Sequence, residues 1–355
     1  MSDGLPKEVR AFLDESVRSG VVSSAVALAG TPEEIEWEGA AGEARPGVPA
    51  EVSTRFDFAS VTKPFTATLA LVLDDEGTLP LATRIGEVWP EAHRDLARRP
   101  LSDLLRHRSG LAGWTPLYHR CRSVGEAFEL ILQGEDLLGA KVGTYSDLGY
   151  MLWGATAERR TGGPLGHLLC SRVLEPLGLS SIEASPGERP DLAASFMGTG
   201  KEVELAAKAG FTVPDLGPPP IGWPQDGNAR FLVGLGLRGG VLGHAGLFGG
   251  ARDVWRLGAE WLAPGSLLKQ VSVDAALKGG GPFALGWWRR RLRNSAGRAL
   301  SPTAFGHTGF AGSSLWIDPE RRRVFVLLGS RLDPAMDMNR WRRAFHTVAV
   351  RALKP

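Results

Sequence analysis

The sequence lacks most of the signatures that assign a chain at a glance. No Gly-x-Ser-x-Gly occurs in its 355 residues, so an α/β-hydrolase nucleophile turn is unsupported. There is no His-Glu-x-x-His and no Cys-x-x-Cys, so no metal is implied, and no motif calls for a cofactor. The two cysteines, Cys121 and Cys170, are too few for a disulfide framework; free thiols are expected, with Cys170 buried in an apolar helical pattern. Met1 to Glu8 carries neither a basic nor an apolar region, and no run is long enough to cross a bilayer. The chain as given is therefore expected to stay in the cytoplasm, without a signal peptide or membrane span. Charge of one sign is also missing. A net charge of +2 gives no reason to expect nucleic acid, and the clusters 289–291 and 321–323 read as solvated arginines. A Gly-x-Gly-x-x-Gly match at 234–239 runs into further glycines rather than a helix, which removes the dinucleotide reading.

What is present is an ordinary globular composition, 43% apolar and 23% charged, with core enough for one large domain or two intergrown lobes. The chain is organised around Phe58-Ala59-Ser60-Val61-Thr62-Lys63-Pro64, followed by a nearly all-apolar run to Leu73. On a helix, residues three apart share a face, so Ser60 and Lys63 can touch. Pro64 marks the first turn, the one place where a missing N–H is not needed. Ser60 is thereby set beside a helix N-terminus, which favours a developing anion. The all-apolar run predicts a buried helix, closed by Gly77. Ser-x-x-Lys recurs at Ser266–Lys269. Only Ser60 is followed by a tyrosine motif, Tyr145-Ser146-Asp147, and then by His307-Thr308-Gly309.

With Gly143 to Tyr150, Glu175 to Leu179, Gly243 to Phe248 and Gly306 to Phe310, these motifs resemble the β-lactamase and penicillin-recognising serine hydrolases. The resemblance runs from about Val26 to Leu328 and is to the class C-like branch, which includes D-peptidases and family VIII carboxylesterases. It implies an antiparallel sheet flanked by the terminal helices, with an inserted helical lobe and the site in the cleft between lobes. It also implies a small ester, amide or peptide as substrate.

Ser60 is the expected nucleophile. Lys63 and Tyr145 are implied to share the work of activating it and of protonating the leaving group. Asp147 departs from the asparagine common at this place. An ionised carboxylate beside Lys63 would hold the lysine protonated, shifting the base role toward Tyr145, and it would repel an anionic substrate. Asp147 is equally a candidate cap for the helix from Leu148. His307 stands where a lysine is usual, so carboxylate recognition is expected to rely on its protonation near pH 6.5. Thr308 and Gly309 complete the substrate-binding set, with Gly309 letting the substrate approach. The N–H groups of Ser60 and Phe310 are the expected oxyanion hole. His244 is expected to line the cleft.

Periodicity predicts helices at 5–17, 102–107 (capped by Ser102), 126–132, 148–160, 165–173, 252–262 and 338–353. It predicts strands at 21–29, 34–41, 285–292, 313–318 and 324–329, and a proline-rich loop at 214–224. The expected organisation is α+β. One catalytic domain spans 1–355, with a sheet lobe from about 1–57 and 280–355 and a mainly helical lobe from about 58–279. The leading function is an esterase-like serine hydrolase. A β-lactamase or D-alanyl peptidase, and a catalytically silent scaffold, are the alternatives.

Overall fold

The computed structural model describes residues 5–353. Seven antiparallel strands form the main sheet in the order β3-β2-β1-β10-β9-β8-β7. They are β1 (Val22–Gly30), β2 (Ile35–Arg45), β3 (Val48–Pro49), β7 (Trp288–Arg289), β8 (Phe305–Thr308), β9 (Ser314–Asp318) and β10 (Arg323–Arg331). A second, three-stranded sheet pairs β4 (Phe56–Asp57) and β5 (Glu183–Ala184) with β6 (Leu247–Gly249). The first and last long strands are neighbours, Val26 opposite Leu328, so both ends of the chain build one sheet.

Strand alternation feeds two cores. Ala25, Ala27, Phe325, Leu327 and Trp316 face the terminal helices Lys7–Arg18 and Met338–Arg351, packing with Val9, Leu13, Trp341 and Phe345. Val26, Leu28, Leu315, Ile317, Val324 and Val326 face the other way, into the core shared with the helical segments. A period of two is why one sheet can be apolar on both faces. The inner face is covered by helix Ala251–Leu262, which packs on β1, β9 and β10. The sheet is thus covered by a segment from within 58–279.

Helix Thr62–Asp75 runs through the centre, with residues 62 to 73 all buried. Its polar side chains are satisfied: Thr66 Oγ1 donates to the Gly243 carbonyl at 2.7 Å, and Thr68 Oγ1 accepts from Trp261 Nε1 at 2.8 Å. Such pairing is what makes buried hydroxyls tolerable. Pro64 is the third helical residue, and Gly77 closes the helix at φ +71°.

Several local expectations move. The 102–107 helix is Leu101–Leu105, entered from Pro100, so Ser102 lies inside it and caps nothing. The strand expected at 285–292 shrinks to Trp288–Arg289, because a tight turn precedes it at Gly286 (φ +85°), with Trp287 O accepting from Ala284 N–H at 2.8 Å. The 165–173 helix loosens after Leu169 into a wider π turn. Cys121 is buried and Cys170 half-buried, the reverse of the emphasis expected for Cys170, and both are free. Among the described residues no helix is long and apolar enough to cross a membrane.

Candidate active site

Ser60 sits in a short 3-10 turn, Ala59–Val61, that leads directly into the buried helix. Ala59 is held at φ +44°, a left-handed conformation unfavourable for a residue with a Cβ. Its N–H donates to Asp57 Oδ1 at 2.7 Å, and the other oxygen of Asp57 accepts from Gln225 N–H at 2.7 Å. Burial pushes the Asp57 carboxyl up to about 6. This clamp fixes the turn that presents Ser60 to the cleft.

Lys63 is 0% exposed, and its ammonium reaches three oxygens. Ser60 Oγ is at 3.0 Å, the His244 carbonyl at 3.2 Å and Asp147 Oδ1 at 2.6 Å, the last as an ion pair. Gly243 makes the second contact feasible. It adopts φ +75°, and a Cβ there would press on the Tyr150 carbonyl, so only glycine brings this loop onto the helix. Burial lowers the Lys63 pKa, and the Asp147 charge opposes the shift without cancelling it. The Tyr145 phenol, hydrogen-bonded to Ser60, moves the other way. Desolvation, then Asp147, push it well above its ordinary value. Both directions favour Lys63 over Tyr145 as the group that loses a proton, reversing the effect expected of Asp147. Desolvation acts on both groups and outweighs the single carboxylate.

The Tyr145 ring is wedged among the rings of His107 (4.5 Å between centroids), Trp288 (5.5 Å), Phe283 (6.0 Å) and His307 (6.1 Å). His107 also accepts the Ser146 N–H on Nδ1 at 2.9 Å, and burial holds it neutral. It fixes the Tyr145-Ser146-Asp147 turn, a role with no signal in the sequence beyond a histidine at a helix end. The cap of helix Asp147–Thr161 is Ser146, whose Oγ accepts the Gly149 N–H at 3.2 Å. Asp147 is the first helical residue and free to face Lys63, so its expected capping role falls to its neighbour.

His307 does not meet the expectation of a charged substrate ligand. It is 1% exposed, its Nδ1–H donates to the Thr308 carbonyl at 3.1 Å, and burial lowers its pKa well below 6.5. Positive charge on that side comes instead from Arg331 and Arg342. They line a cavity of about 370 Å³ together with Ser60, Tyr145, Thr308, Gly309 and Phe310. Gly309 is glycine for another reason than substrate approach: a Cβ would overlap the Phe58 carbonyl oxygen. Arg342 Nη2 donates to the Gly309 carbonyl at 2.6 Å. Carbonyl and N–H of one peptide point opposite ways. Anchoring that carbonyl therefore turns the Phe310 N–H away from Arg342, and no acceptor among the described residues takes it.

A second cavity, about 350 Å³, lies on the other side of Ser60. It is lined by Tyr145, Asp147, Trp114, Glu202, Gln225, Asp226 and others. His244 lies behind it, with Nε2 3.2 Å from Asp226 Oδ1. Gln225 and Asp226 directly follow the proline-rich loop, whereas Glu202 lies on the helix Gly200–Lys208 before it, and no sequence signal marked the three. The second Ser-x-x-Lys is a surface feature: Ser266 is exposed, and Lys269 lies 3.8 Å from Asp75.

A buried lysine against a serine at a helix start, on this sheet-and-helix scaffold, is an arrangement suited to a serine hydrolase. The chain belongs to the beta-lactamase family, whose family model, Beta-lactamase, matches residues 9–349. It is 28% identical over 319 residues to a putative D-alanyl-D-alanine carboxypeptidase of Escherichia coli (strain K12), covering 80% of this chain and 70% of that protein. It is 29% identical over 327 residues to an N-acetylmuramyl-L-alanine amidase of Bacillus subtilis (strain 168), covering 82% and 73%. In fold it is similar to EstCE1, a hydrolase with promiscuous acyltransferase activity, with a TM-score of 0.78, 20% identity and 98% of both chains covered.

Proposed function

We propose that this serine hydrolase, one catalytic domain of two lobes, works through an acyl-enzyme on Ser60 and acts on small esters or amides. The observation that carries the proposal is the buried Lys63 ammonium, 3.0 Å from Ser60 Oγ, with its pKa lowered by burial in spite of Asp147. Neutral Lys63 takes the Ser60 proton as Oγ attacks the carbonyl carbon. The resulting oxyanion is received by the N–H groups of Ser60 and Phe310. Tyr145, kept protonated, hands its proton to the departing oxygen or nitrogen and regains one from Lys63. Water then cleaves the acyl-serine by the same steps in reverse. Thr308 and Gly309 border the cavity with the two arginines and are assigned to substrate binding; His307 supports the Tyr145 ring from behind.

Labelling with a fluorophosphonate, read by intact mass, tests this. One adduct on the wild type and none on Ser60→Ala is the expected result. An adduct that survives Ser60→Ala refutes it. A D-alanyl peptidase is a second reading, favoured by Arg331 and Arg342 in the cavity beside Phe310, since guanidiniums suit a substrate carboxylate. Hydrolysis of D-alanyl-D-alanine peptides, set against aryl esters, separates the two.

A further inference from the structure

The cavity lined by Asp147, Glu202 and Asp226 contains more acceptors than the protein uses. Glu202 Oε1 accepts the Gly227 N–H at 2.8 Å, while Oε2 is buried with only the Tyr118 phenol beside it. Gln225 lines the same cavity and is only 2% exposed. Its Nε2 donates to the Gly198 carbonyl at 3.0 Å, yet its Oε1 has no partner. Asp226 spends one oxygen, Oδ1, on the Ala229 N–H and His244. Gly227 joins these groups. A Cβ at that position would run into Glu202 Oε2, so the carboxylate lies directly against the residue after Asp226. A buried acceptor left unpaired costs about 1–3 kcal/mol, so the Gln225 oxygen calls for a donor from outside the protein.

We propose that this cavity binds a protonated primary amine of the substrate, held between Glu202, Asp226 and the side-chain oxygen of Gln225. An ammonium brings three N–H donors and one positive charge, which matches three acceptors and an acidic lining. Lys201 also lines the cavity, but its Nζ is paired with Glu204 at 2.6 Å. The proposal rests on the reading of Ser60 as the acylated residue and narrows its substrates to esters or amides that carry a free amine within one cavity's reach of the scissile carbonyl.

Glu202 supplies a signature that packing alone would not produce. Desolvation, then the Asp226 charge, push its carboxyl up to about 8. The groups facing it are Asp226, the cation Arg230 and the Tyr118 phenol, which burial keeps neutral. At pH 7 Glu202 is therefore mostly protonated, and a bound cation favours its ionised form. Binding should release a proton.

The test is calorimetric and needs no turnover, so it stands apart from the Ser60 experiment. Benzylamine, cationic at pH 7, is titrated into the whole protein in two buffers of different ionisation enthalpy, with benzyl alcohol as the neutral isostere. The expected result is binding at least tenfold tighter for the amine, with release of most of one proton. Glu202→Gln, which keeps the shape and the acceptor for Gly227 N–H, should remove both the preference and the proton release. Equal affinity for amine and alcohol, or binding without proton release, overturns the proposal. The wild-type measurement decides the matter even if the variant does not fold. Should the amine bind as described while Ser60 resists fluorophosphonate, the hydrolase reading fails and the cation site stands.

Discussion

Removing the charge of Asp147 should move the acid limb of the pH–rate profile toward lower pH. The carboxylate oxygen lies 2.6 Å from Lys63 Nζ, and the lysine is fully buried. At an effective dielectric of 20, two unit charges at that distance attract by about 6 kcal/mol before desolvation. Shifts observed for a group beside one opposite charge are smaller, about 1–3 pKa units. The sign follows from the pair: a negative neighbour stabilises the ammonium, so its loss makes the proton easier to remove. Asp147→Asn should thus lower the Lys63 pKa further and carry the limb down by about 1–3 units. The cap remains, because Ser146 provides it. The assay is kcat/KM for a neutral aryl ester from pH 5 to 10, read as the position of the limb and not its height. A limb that overlays the wild type refutes the assignment of Lys63 as the titrating base. A limb that moves upward refutes the sign.

Ser60→Ala should lower kcat on the order of a million-fold with an unchanged melting temperature, while Ser266→Ala, on the exposed second motif, should match wild type in the same ester assay. The preference for anionic over neutral esters should stay flat between pH 5.5 and 7, below the Glu202 titration at about 8, since burial keeps His307 neutral; a preference that rises as pH falls through 6.5 would return His307 to substrate recognition. His107→Ala removes a buried ring and the acceptor of Ser146 N–H, so urea denaturation should show a loss of about 3 kcal/mol, with kcat falling as Tyr145 loses its support. Arg342→Met removes one of two donors to the Gly309 carbonyl and leaves the Gly312 N–H at 3.2 Å, so the Phe310 N–H is held less firmly and kcat should fall by less than the value of a whole oxyanion donor, about 10²–10³-fold; a change confined to KM would assign Arg342 to substrate binding alone.

The parts of this protein that could be read in advance are those set by short separations. Ser60 and Lys63 are three residues apart, Pro64 fixes where their helix starts, and the apolar run after it can only be buried. The long strands β1, β9 and β10 followed from alternation. What escaped depends on what lies across space. Lys63 and His307 differ little in local sequence from solvated residues, yet both are enclosed, and enclosure decides their charge. The exchange of roles between Ser146 and Asp147 is a one-residue boundary question, and capping preference does not separate the two. Strand β8 was missed although its motif was recognised, because Phe305–Thr308 is short and has glycine at its centre. Glu202, Gln225 and Asp226 line Ser60's cavity from more than 140 residues away, Glu202 on the short helix Gly200–Lys208, which no expectation covered, and Gln225 and Asp226 at the end of the proline-rich loop.

Together these enclosed groups give the candidate nucleophile two unlike sides. One cavity is lined by carboxylates and an unpaired amide oxygen; the other is lined by two guanidiniums and one carboxylate, Asp337, with Arg342 lowered by burial only to about 9 and so still charged at neutral pH. Ser60, Tyr145 and Phe310 border both. In a low-dielectric cleft, charges of opposite sign at the two ends orient a polar substrate before any reaction takes place. The usual positive residue of the third motif is absent, but positive charge is not: it has moved to Arg331 on β10 and Arg342 on the C-terminal helix. Because Arg342 also holds the Gly309 carbonyl, whatever engages that guanidinium acts on the peptide that presents the Phe310 N–H. Under the proposed mechanism, substrate recognition on that side and oxyanion stabilisation are therefore coupled through one side chain, which a lysine at His307 would not by itself accomplish.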